Sequence, residues 1–467
     1  MITQLAKLHS NYSLSFAAPF SLFLWTNGTS RQVIKALAQC GLCILFTSLC
    51  ILFTSLFILL NQLASQCIDK AIQISQHPHV FCYDNINIST SIFIEQCSSG
   101  PAKVQSGTFP ILYTIENASL HNMGLGPMLH HVHCVADLNF NADIHPTKQQ
   151  HQSIYYQACV NVIHILLQEC TSFQDYKFHS APSLSHKEQC RLPKGHKTKQ
   201  YPLCTSTINE SSVSGNIAVI NDMYINQLKM THEQLSDFAI PGINDQSTNA
   251  CIQGAKVLWT SDINPFTCLQ FIQLGFGLFH LCMNLIWAIL HVHHDSIGEP
   301  GSLSFFFAIL DRTCLGCTHP DYHTLLSTLM QILKGIVLNA WRAGCRHSFL
   351  AAFAASNPSP EQLCDIVDHI LKNHARSLSD DQLTWGQQPQ SQQHEHSVAN
   401  QNLKILTRDL LYVLELTHAI SAGDFGWIED MLVHLAMIFW GTGSNNYCME
   451  ILHFIFNLQQ VWTPHLA

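Results

Sequence analysis

The stretch from Pro265 to His294 contains no Asp, Glu, Lys or Arg, so it must lie inside the protein or inside a lipid bilayer. Wound as a helix at about 100° per residue, it collects polar and small side chains on one stripe, with Leu, Ile and Phe elsewhere. The stripe consists of Gln273, Gly277, His280, Asn284, Trp287, His291 and His294. Lipid offers no partners to amides and imidazoles. We therefore predict that residues 274–293 form a helix buried within protein, in which Asn284 has a polar partner.

The composition indicates a large core or a membrane component, because 47% of the 467 residues are hydrophobic and only 11% are charged. A net charge of −9 argues against a protein coated in basic surface for non-specific nucleic-acid binding. The 19 cysteines are spaced irregularly, several of them in apolar runs. That distribution is typical of reduced, buried cysteines rather than of a disulfide framework.

A second charge-free run extends from Ala36 to Cys67, and the seven residues Cys43–Leu49 are repeated as Cys50–Leu56. One continuous helix over residues 39–60, projecting from the rest of the fold, would be about 30 Å long and could cross a bilayer. Basic residues before it would then place the N-terminus on the cytoplasmic side of a single-pass membrane protein. The alternative is a buried core helix or an insertion from a local duplication, in a nuclear or cytoplasmic protein.

The remaining patterns predict a mostly helical α/β protein with a small mixed sheet and a large helical block. The sheet is predicted from segments near 78–115 and 213–248. Alternating β-branched and aromatic residues predict a strand and turn over Pro78–Ile94, with Asp84 where the strand would end, and Asn216–Asp222 is also strand-like. The apolar run Phe238–Thr248 is broken by Pro241-Gly242 and presents Asp245. Helices are predicted at Ile154–Cys170, after a capping box at Ser359, and in three C-terminal segments. The predicted regions are an N-terminal segment 1–38, the apolar helix 39–60, a mixed α/β part 75–262, a helical block 263–384, a polar linker 385–402 and C-terminal helices 403–467.

Two clusters of side chains lie in predicted loops. The basic loop His186–Lys199 supplies candidates for phosphate contact, although a solvated loop is the commoner explanation for such a charge run. Those candidates are Lys187, Arg191, Lys194, Lys197 and Lys199. The second cluster has the donor atoms of a zinc site, but its spacing leaves almost no loop to fold around a tetrahedral ion. We interpret this cluster, Cys314, Cys317, His319 and His323, as a structural turn.

A third constellation is acidic. Asp84 follows the apolar VFCY, Asp245 follows AIPGIN, and Glu450 lies on a predicted helix. Carboxylates at strand ends and on an inward-facing helix can converge on a pair of Mg²⁺ or Mn²⁺ ions, because hard cations take oxygen ligands. The competing explanation is structural, since a turn Asp can bond its own backbone and a Glu is favoured near a helix N-terminus.

Several segments resemble a family of basidiomycete fungi known as domain of unknown function 6589 (DUF6589). They are YDNINISTSIF at Tyr83–Phe93, AKVQSGTF at Ala102–Phe109, RLPKGHKTKQYPL at Arg191–Leu203, INDQST at Ile243–Thr248, LGFGLFHLCMNLIWAILHVH at Leu274–His293, HPDYHTLL at His319–Leu326 and GSNNYCMEILHF at Gly443–Phe454. The resemblance covers most of residues 75–467. It brings no established activity with it.

The resemblance implies descent from a transposable element, by analogy with fungal transposases of ribonuclease-H-like fold. Those enzymes place two Asp and one Glu around divalent metals, and in some an all-helical insertion separates the second Asp from the Glu. On this analogy residues 263–440 are the insertion, and Asp84, Asp245 and Glu450 are the metal-binding triad. The implied function is a metal-dependent nuclease or transposase-like domain acting on nucleic acid, active or inactive.

Two departures from the family are visible. Its members extend past the end of this chain, and the apolar run 36–67 has no counterpart in them, which together indicate a fragment-like copy. The sequence leaves open whether the protein is an enzyme. The alternatives are a membrane-anchored, non-enzymatic protein and a soluble interaction module that uses the helical block.

Overall fold

The computed structural model describes residues 17–26, 29–44, 46–90, 103–316, 318–375, 398–464 and 466–467. The chain forms two compact units. The first unit comprises Met1–Leu125 and Thr198–Gln273, and the second comprises Gly126–Lys197 and Leu274–Ala467. The predicted class, a mostly helical α/β protein with a small mixed sheet, is confirmed.

The first unit is built on a five-stranded sheet in the order β3-β2-β1-β4-β5. The strands are β1 His79–Thr90, β2 Lys103–Thr114, β3 Gln200–Pro202, β4 Ile240–Asn244 and β5 Ile272–Phe276, and the boundary between the units falls within β5. The helices of this unit are α1 Ala17–Thr26, α2 Arg31–Gln39, α3 Phe46–Ser75, α6 Val213–Asn221, α7 His232–Asp237 and α8 Gln246–Leu258. Two intervening helices, α4 Leu125–Cys134 and α5 Lys148–Glu169, are described with the second unit.

The central strand β1 pairs antiparallel with β2 along its whole length and parallel with β4 at Phe81 and Gly242. Buried aromatic rings support this junction in edge-to-face contact, with 5.7 Å between the Phe81 and Tyr224 centroids and 5.6 Å between Tyr224 and Phe271. Such pairs add to the stabilisation that burial of the rings already supplies. The core thus lies under the place where β1 and β4 meet.

Two predictions about strands are wrong. Asp84 does not end β1, because the antiparallel ladder with β2 continues to Thr90. The apolar segment predicted as a strand at residues 216–222 is instead α6 and the π-turn after it. Its first turn is capped by Ser212, whose side chain accepts a hydrogen bond from the Gly215 amide at 3.0 Å. Such a cap favours a helix over a strand in a short apolar run, for which periodicity is ambiguous.

The prediction of one continuous helix over residues 39–60 is also wrong. Helix α2 ends at Gln39, Gly41 adopts the left-handed region with φ +75°, and the Leu42 amide donates to the Leu37 carbonyl at 3.0 Å. These are the features of a Schellman C-terminus. The chain then re-enters a helix at Phe46, and α3 continues past residue 60 to Ser75.

Among the residues that the structure describes, no helix has the length and apolarity needed to cross a membrane. The side chains of residues 45–60, which make up most of the predicted span, lie outside that description.

The second unit is helical. Its helices are α4 Leu125–Cys134, α5 Lys148–Glu169, α9 Leu278–His293, α10 Leu303–Ile309, α11 Tyr322–Gly344, α12 Leu350–Ala355, α13 Pro360–His374, α14 Val398–Ala422, α15 Phe425–Gly441 and α16 Asn445–Phe456. The core lies where α5, α11, α13 and α14 pack on one another, with α9 against α14 and α15 against α16. The predicted cap of α13 is confirmed, with Ser359 and Gln362 forming a capping box around Pro360. Most of the predicted linker 385–402 lies outside the described residues, and α14 begins at Val398.

The charge-free stretch 265–294 contributes strand β5 and then helix α9. The prediction of a helix is therefore wrong for residues 274–276, which belong to β5. The predicted partner of Asn284 is present, because its side-chain amide donates to the Tyr447 hydroxyl at 2.8 Å. Of the predicted polar stripe, His291 is exposed. The buried imidazole is that of His293, which bonds the Asp409 carboxylate at 2.8 Å.

Candidate functional site

Asp84, within β1, and Asp245, directly after β4, lie at the same level on neighbouring parallel strands. The strands β1 and β4 pair at Phe81 and Gly242, and each aspartate follows its paired residue by three positions. Neighbouring strands lie about 4.8 Å apart. Two of the three predicted acids therefore lie on adjacent strands of the sheet in the first unit, one within β1 and one directly after β4.

Close packing of β4 on β1 depends on Gly242. A Cβ at this position would lie 2.5 Å from Cζ of the Phe81 ring, so any larger residue would push the strands apart. Beyond Gly242, Asn244 ties the end of β4 to β1, because its side-chain oxygen accepts a hydrogen bond from the Tyr83 amide at 3.2 Å. These contacts hold the two aspartates at the same level.

Each aspartate also accepts a hydrogen bond from a backbone amide close to it in the sequence, as expected if its role is structural. Asp245 is the N-cap of α8 and accepts from the Thr248 amide at 2.7 Å. Asp84 is exposed and accepts from the Asn85 amide at 2.7 Å. Each of these bonds uses one carboxylate oxygen, so capping and ligand binding are compatible.

A third acid, Glu210, belongs to the same neighbourhood and was not predicted from the sequence. It lies in the loop before α6 and is only 3% exposed. Burial first, and then the charges of Asp84 and Asp245, raise the pKa of Glu210 to about 7, while a hydrogen bond from the Asn85 backbone acts in the opposite direction. Its Oε2 atom is buried without a hydrogen-bond partner. No periodicity or spacing marks this residue, which precedes the capping serine of α6 by two positions.

The third predicted acid, Glu450, lies on α16 in the second unit, where it is 5% exposed. It therefore does not belong to the unit that holds the two aspartates.

The aspartate pair fits a hard divalent cation. Within the described residues, no group of three or more His, Cys, Asp and Glu side chains is arranged to hold a metal ion. Mg²⁺, however, is usually bound through one or two carboxylates while it keeps several waters and takes further oxygens from a phosphate. Asp84 and Asp245 supply such a pair, and their charges add to the effect of burial in raising the pKa of Glu210. The donors are all oxygens, which suit Mg²⁺ or Mn²⁺.

The Cys/His turn is part of the second unit. Cys314 is exposed, and the His319 ring packs edge-to-face on Trp287 with 4.7 Å between centroids. Cys317 lies outside the described residues. This histidine contact is a packing contact, as expected for a structural turn.

The basic loop is held against the junction of α14 and α15 by its backbone. Asp424 is buried, and its carboxylate accepts from the amides of Gln189 and Cys190, both at 2.9 Å. The Leu192 amide donates to the Gly423 carbonyl at 2.9 Å. These bonds give the loop a defined position in the second unit.

The five basic side chains predicted to contact phosphate differ in their surroundings. Arg191 pairs with Glu188 at 2.6 Å, and the Lys187 ammonium lies 4.2 Å from the centroid of the Tyr156 ring. Lys199, in the first unit, pairs with Glu116 at 3.1 Å. Lys194 and Lys197 are exposed. The last two are the strongest candidates for an electrostatic contact.

The second unit also buries an acid, Glu415, which is 1% exposed. One carboxylate oxygen accepts from the Asn161 amide at 2.7 Å and the other from the Trp427 indole at 3.0 Å. Asn161 is in turn bonded to His418 at 2.7 Å. Burial raises the pKa of Glu415 to about 8, and the two hydrogen bonds partly offset this effect. Because both oxygens have structural partners, we assign this acid to the core of the unit.

Glu415 should make the stability of the protein depend on pH. Its pKa is about 8 when folded against an ordinary value of 4.5, so between these pH values the folded state holds a proton that the unfolded state releases. Stability therefore falls as pH rises, by about 2–3 kcal/mol between pH 5 and pH 7, and levels off above pH 8. Urea titrations at several pH values should show a shallower slope for Glu415→Gln than for the parent. Equal pH dependence of stability in the two proteins would contradict the assignment. The contribution of Glu210 to this pH dependence is the same in both proteins, so it cancels in the comparison.

Comparison with known proteins places the chain in one family. Residues 134–467 match the model of DUF6589, described as a family of unknown function. The match includes Glu210, Asp245 and Glu450, whereas Asp84 precedes it. No curated protein and no solved structure matches the chain. Because the matched segment is more than half of the chain, this protein belongs to the DUF6589 family.

Proposed function

We propose that the first unit carries a divalent-metal-dependent site for phosphoryl transfer on nucleic acid, in a nuclease or transposase-like domain with a ribonuclease-H-like sheet. The observation that carries the proposal is the position of Asp84 and Asp245, at the same level on adjacent parallel strands. Transposon descent is part of the same proposal and rests on the family resemblance. After Asp245 the chain adds α8 and β5, and all the elements that follow β5 in the described part of the chain are helices, as the analogy expects of an insertion.

The chemistry of this proposal needs two oxygen donors whose positions do not change during the reaction. Gly242 and Asn244 hold β4 against β1 beside the two aspartates, and the cap of α8 fixes the Asp245 side chain. A bound Mg²⁺ or Mn²⁺ would polarise the phosphodiester and stabilise the charge on the attacking and leaving oxygens. Asp84 and Asp245 would hold and orient the metal, and their fixed positions would keep the cost of reorganisation low.

The second part of the proposal is the partner. Lys194 and Lys197 lie on either side of Gly195 in the exposed basic loop, where they would meet the phosphate backbone without reading its sequence. Binding through two such contacts depends on salt, because each neutralised phosphate releases counterions. The basic loop would therefore contribute to affinity and not to choice of sequence.

The proposed metal site is tested by comparing how added metal changes the stability of the parent and of the Asp245→Asn variant. Added Mg²⁺ or Mn²⁺ should stabilise the parent by about 2.7 kcal/mol at one hundred times the dissociation constant. Asparagine is as good an N-cap as aspartate, so the variant keeps the α8 cap while it loses the charged ligand. Its metal-free stability should equal or slightly exceed that of the parent, because less negative charge surrounds Glu210. Thermal melts with and without each metal measure both effects.

Matched controls make the test specific. Asp237→Asn removes an exposed aspartate from the same unit and should respond to metal as the parent does. Parallel assays of nicking of single- and double-stranded DNA should show metal-dependent cleavage that Asp84→Asn and Asp245→Asn both lose. The same cleavage assay on Glu450→Gln tests separately whether the acid on α16 contributes to cleavage. A parent protein that ignores both metals, or an Asp245→Asn variant that responds like the parent, would leave the two aspartates as structural residues.

A further inference from the structure

Three histidines lie together in the second unit, at the place where the basic loop begins. His164 is on α5, His186 is the first residue of the loop, and His418 is on α14. The centroid of the His186 ring lies 5.2 Å from that of His164 and 5.9 Å from that of His418. It lies 4.8 Å from the ring of Trp427 on α15. The loop is thus joined to three helices through one partly buried imidazole.

The hydrogen bonds around His186 assign the position of its proton. The side-chain nitrogen of Gln157 donates to the Lys187 carbonyl at 2.8 Å, so the side-chain oxygen of Gln157 is an acceptor. His186 Nδ1 lies 2.8 Å from that oxygen and therefore donates to it. A neutral imidazole has one such proton, so Nε2 carries none. Among the described residues nothing bonds Nε2, which is buried, and a proton added there would find no acceptor.

The basic groups that face His186 oppose a positive charge on it. Burial first, and then His164 and His418, lower the pKa of His186 to about 4. Burial, His164 and Lys334 lower the pKa of His418 in the same way. Lys334 lies on α11 and pairs with Glu169 at 2.5 Å. The cluster therefore favours neutral imidazoles.

The acids of this region do not offset that effect. Four acids contact the loop or the ring that supports His186, namely Glu188, Glu415, Asp424 and Asp430. In that order, their carboxylates are bonded to Arg191, to Asn161 and Trp427, to the amides of Gln189 and Cys190, and to the Gln189 side chain. Glu415 is also neutral at pH 7, because burial raises its pKa to about 8. The docked loop thus excludes the imidazolium form of His186.

We propose that His186 is a pH-sensitive switch for the basic loop, in which the neutral imidazole docks against His164, His418 and Trp427 and its protonation releases the loop from the second unit. The inference goes beyond the proposed function, because it does not require the metal site of the first unit. Lys194 and Lys197 lie on the segment that is released. Acidification would therefore remove the defined position from which the loop meets an anionic partner.

The direction of the pH dependence follows from the proton bound in each state. The pKa of His186 is 6.5 when the imidazole is free and about 4 when the loop is docked. Above pH 6.5 neither state binds the proton, so docking does not change with pH. As the pH falls from 6.5 towards 4, the released loop binds a proton that the docked loop excludes. Docking should therefore be about 10-fold weaker at pH 5.5 than at pH 7.5.

The test is hydrogen–deuterium exchange of the full chain, corrected for the intrinsic exchange rate at each pH. The amides of Gln189, Cys190 and Leu192 report docking, because each donates to the junction of α14 and α15 in the docked loop. In the parent their protection should fall about 10-fold between pH 7.5 and pH 5.5, while the amides of α11 lose none. His186→Asn keeps an amide donor for Gln157 and does not titrate, so its loop should be equally protected at both pH values.

His196→Asn is the matched control, because it removes another histidine of the same loop and should keep the pH dependence of the parent. Equal protection of the parent loop at both pH values would overturn the proposal. A loss of protection in His186→Asn as large as that in the parent would overturn it too, since another group would then be titrating. If His186→Asn does not fold, His186→Gln, which also does not titrate, should show the same pH-independent protection. The parent alone must in any case lose protection below pH 6.5 with the slope of one proton.

Discussion

Gly215→Ala is expected to lower the free energy of unfolding by about 3 kcal/mol or more. Gly215 lies in the first turn of α6, and a Cβ there would overlap the carbonyl oxygen of Asn209, far inside van der Waals contact. The obstacle is backbone, so no side-chain rotation relieves it. The loop 209–212 would have to move, and with it Glu210. Urea denaturation measures the loss of stability.

Gly254→Ala is the matched control for this change. Gly254 lies in the interior of α8, and its added Cβ would meet only Val213 Cγ2 at 3.6 Å, an ordinary contact. Alanine is the better helix former, so this variant should be more stable by up to about 1 kcal/mol. If Gly215→Ala is as stable as Gly254→Ala, the close approach of the loop to α6 is not what holds Glu210 in place.

Trp341→Ala should be the most destabilising of the substitutions considered in the second unit, at about 3–5 kcal/mol. The Trp341 side chain is 0% exposed and lies in the common core of α5, α11 and α13. Its indole nitrogen donates to the Val162 carbonyl at 3.0 Å, and its ring stacks with Phe353 at 6.3 Å between centroids. The truncation leaves a cavity and removes a buried hydrogen bond, and each adds to the cost.

The same substitution at Trp440 controls for the loss of an indole. Trp440 is 66% exposed at the end of α15, so Trp440→Ala should change stability by less than about 0.5 kcal/mol. The midpoints of urea unfolding, followed by far-ultraviolet circular dichroism, compare the two variants without reliance on tryptophan fluorescence. Similar midpoints for both would mean that the helices of the second unit do not share one packed core.

A metal titration separates a less stable fold from a damaged site. Trp341 is in the second unit and the two aspartates, Asp84 and Asp245, are in the first, so Trp341→Ala should leave the number of Mn²⁺ ions bound unchanged wherever the chain is folded. Calorimetric titration of Trp341→Ala and of Asp245→Asn with Mn²⁺ therefore distinguishes a less stable fold from a damaged site.

Local features of the sequence were sufficient to predict several helices and their ends. Ser359, Pro360 and Gln362 form the cap that their order predicts, because a capping box satisfies amides within four residues of chain. The partner of Asn284 was also predictable in kind, since an amide in a charge-free helix must bond something. Local patterns were insufficient at residues 216–222, where an apolar run of strand length became α6, and at residues 39–60, where Gly41 interrupts the helix.

The residues of the candidate site also fall into those that the sequence identifies and those that only the tertiary structure reveals. Asp84 and Asp245 were identifiable from the sequence because each follows an apolar, strand-like segment, and the order of residues along one chain is enough to recognise that. Only the tertiary structure places the two aspartates at the same level, because the parallel pairing of β1 with β4 joins residues 161 positions apart in the sequence. Glu210 could be found only in the tertiary structure. Its burial, its orphaned oxygen and its raised pKa all arise from groups brought to it by the fold, and a sequence records neither distance nor exclusion of water.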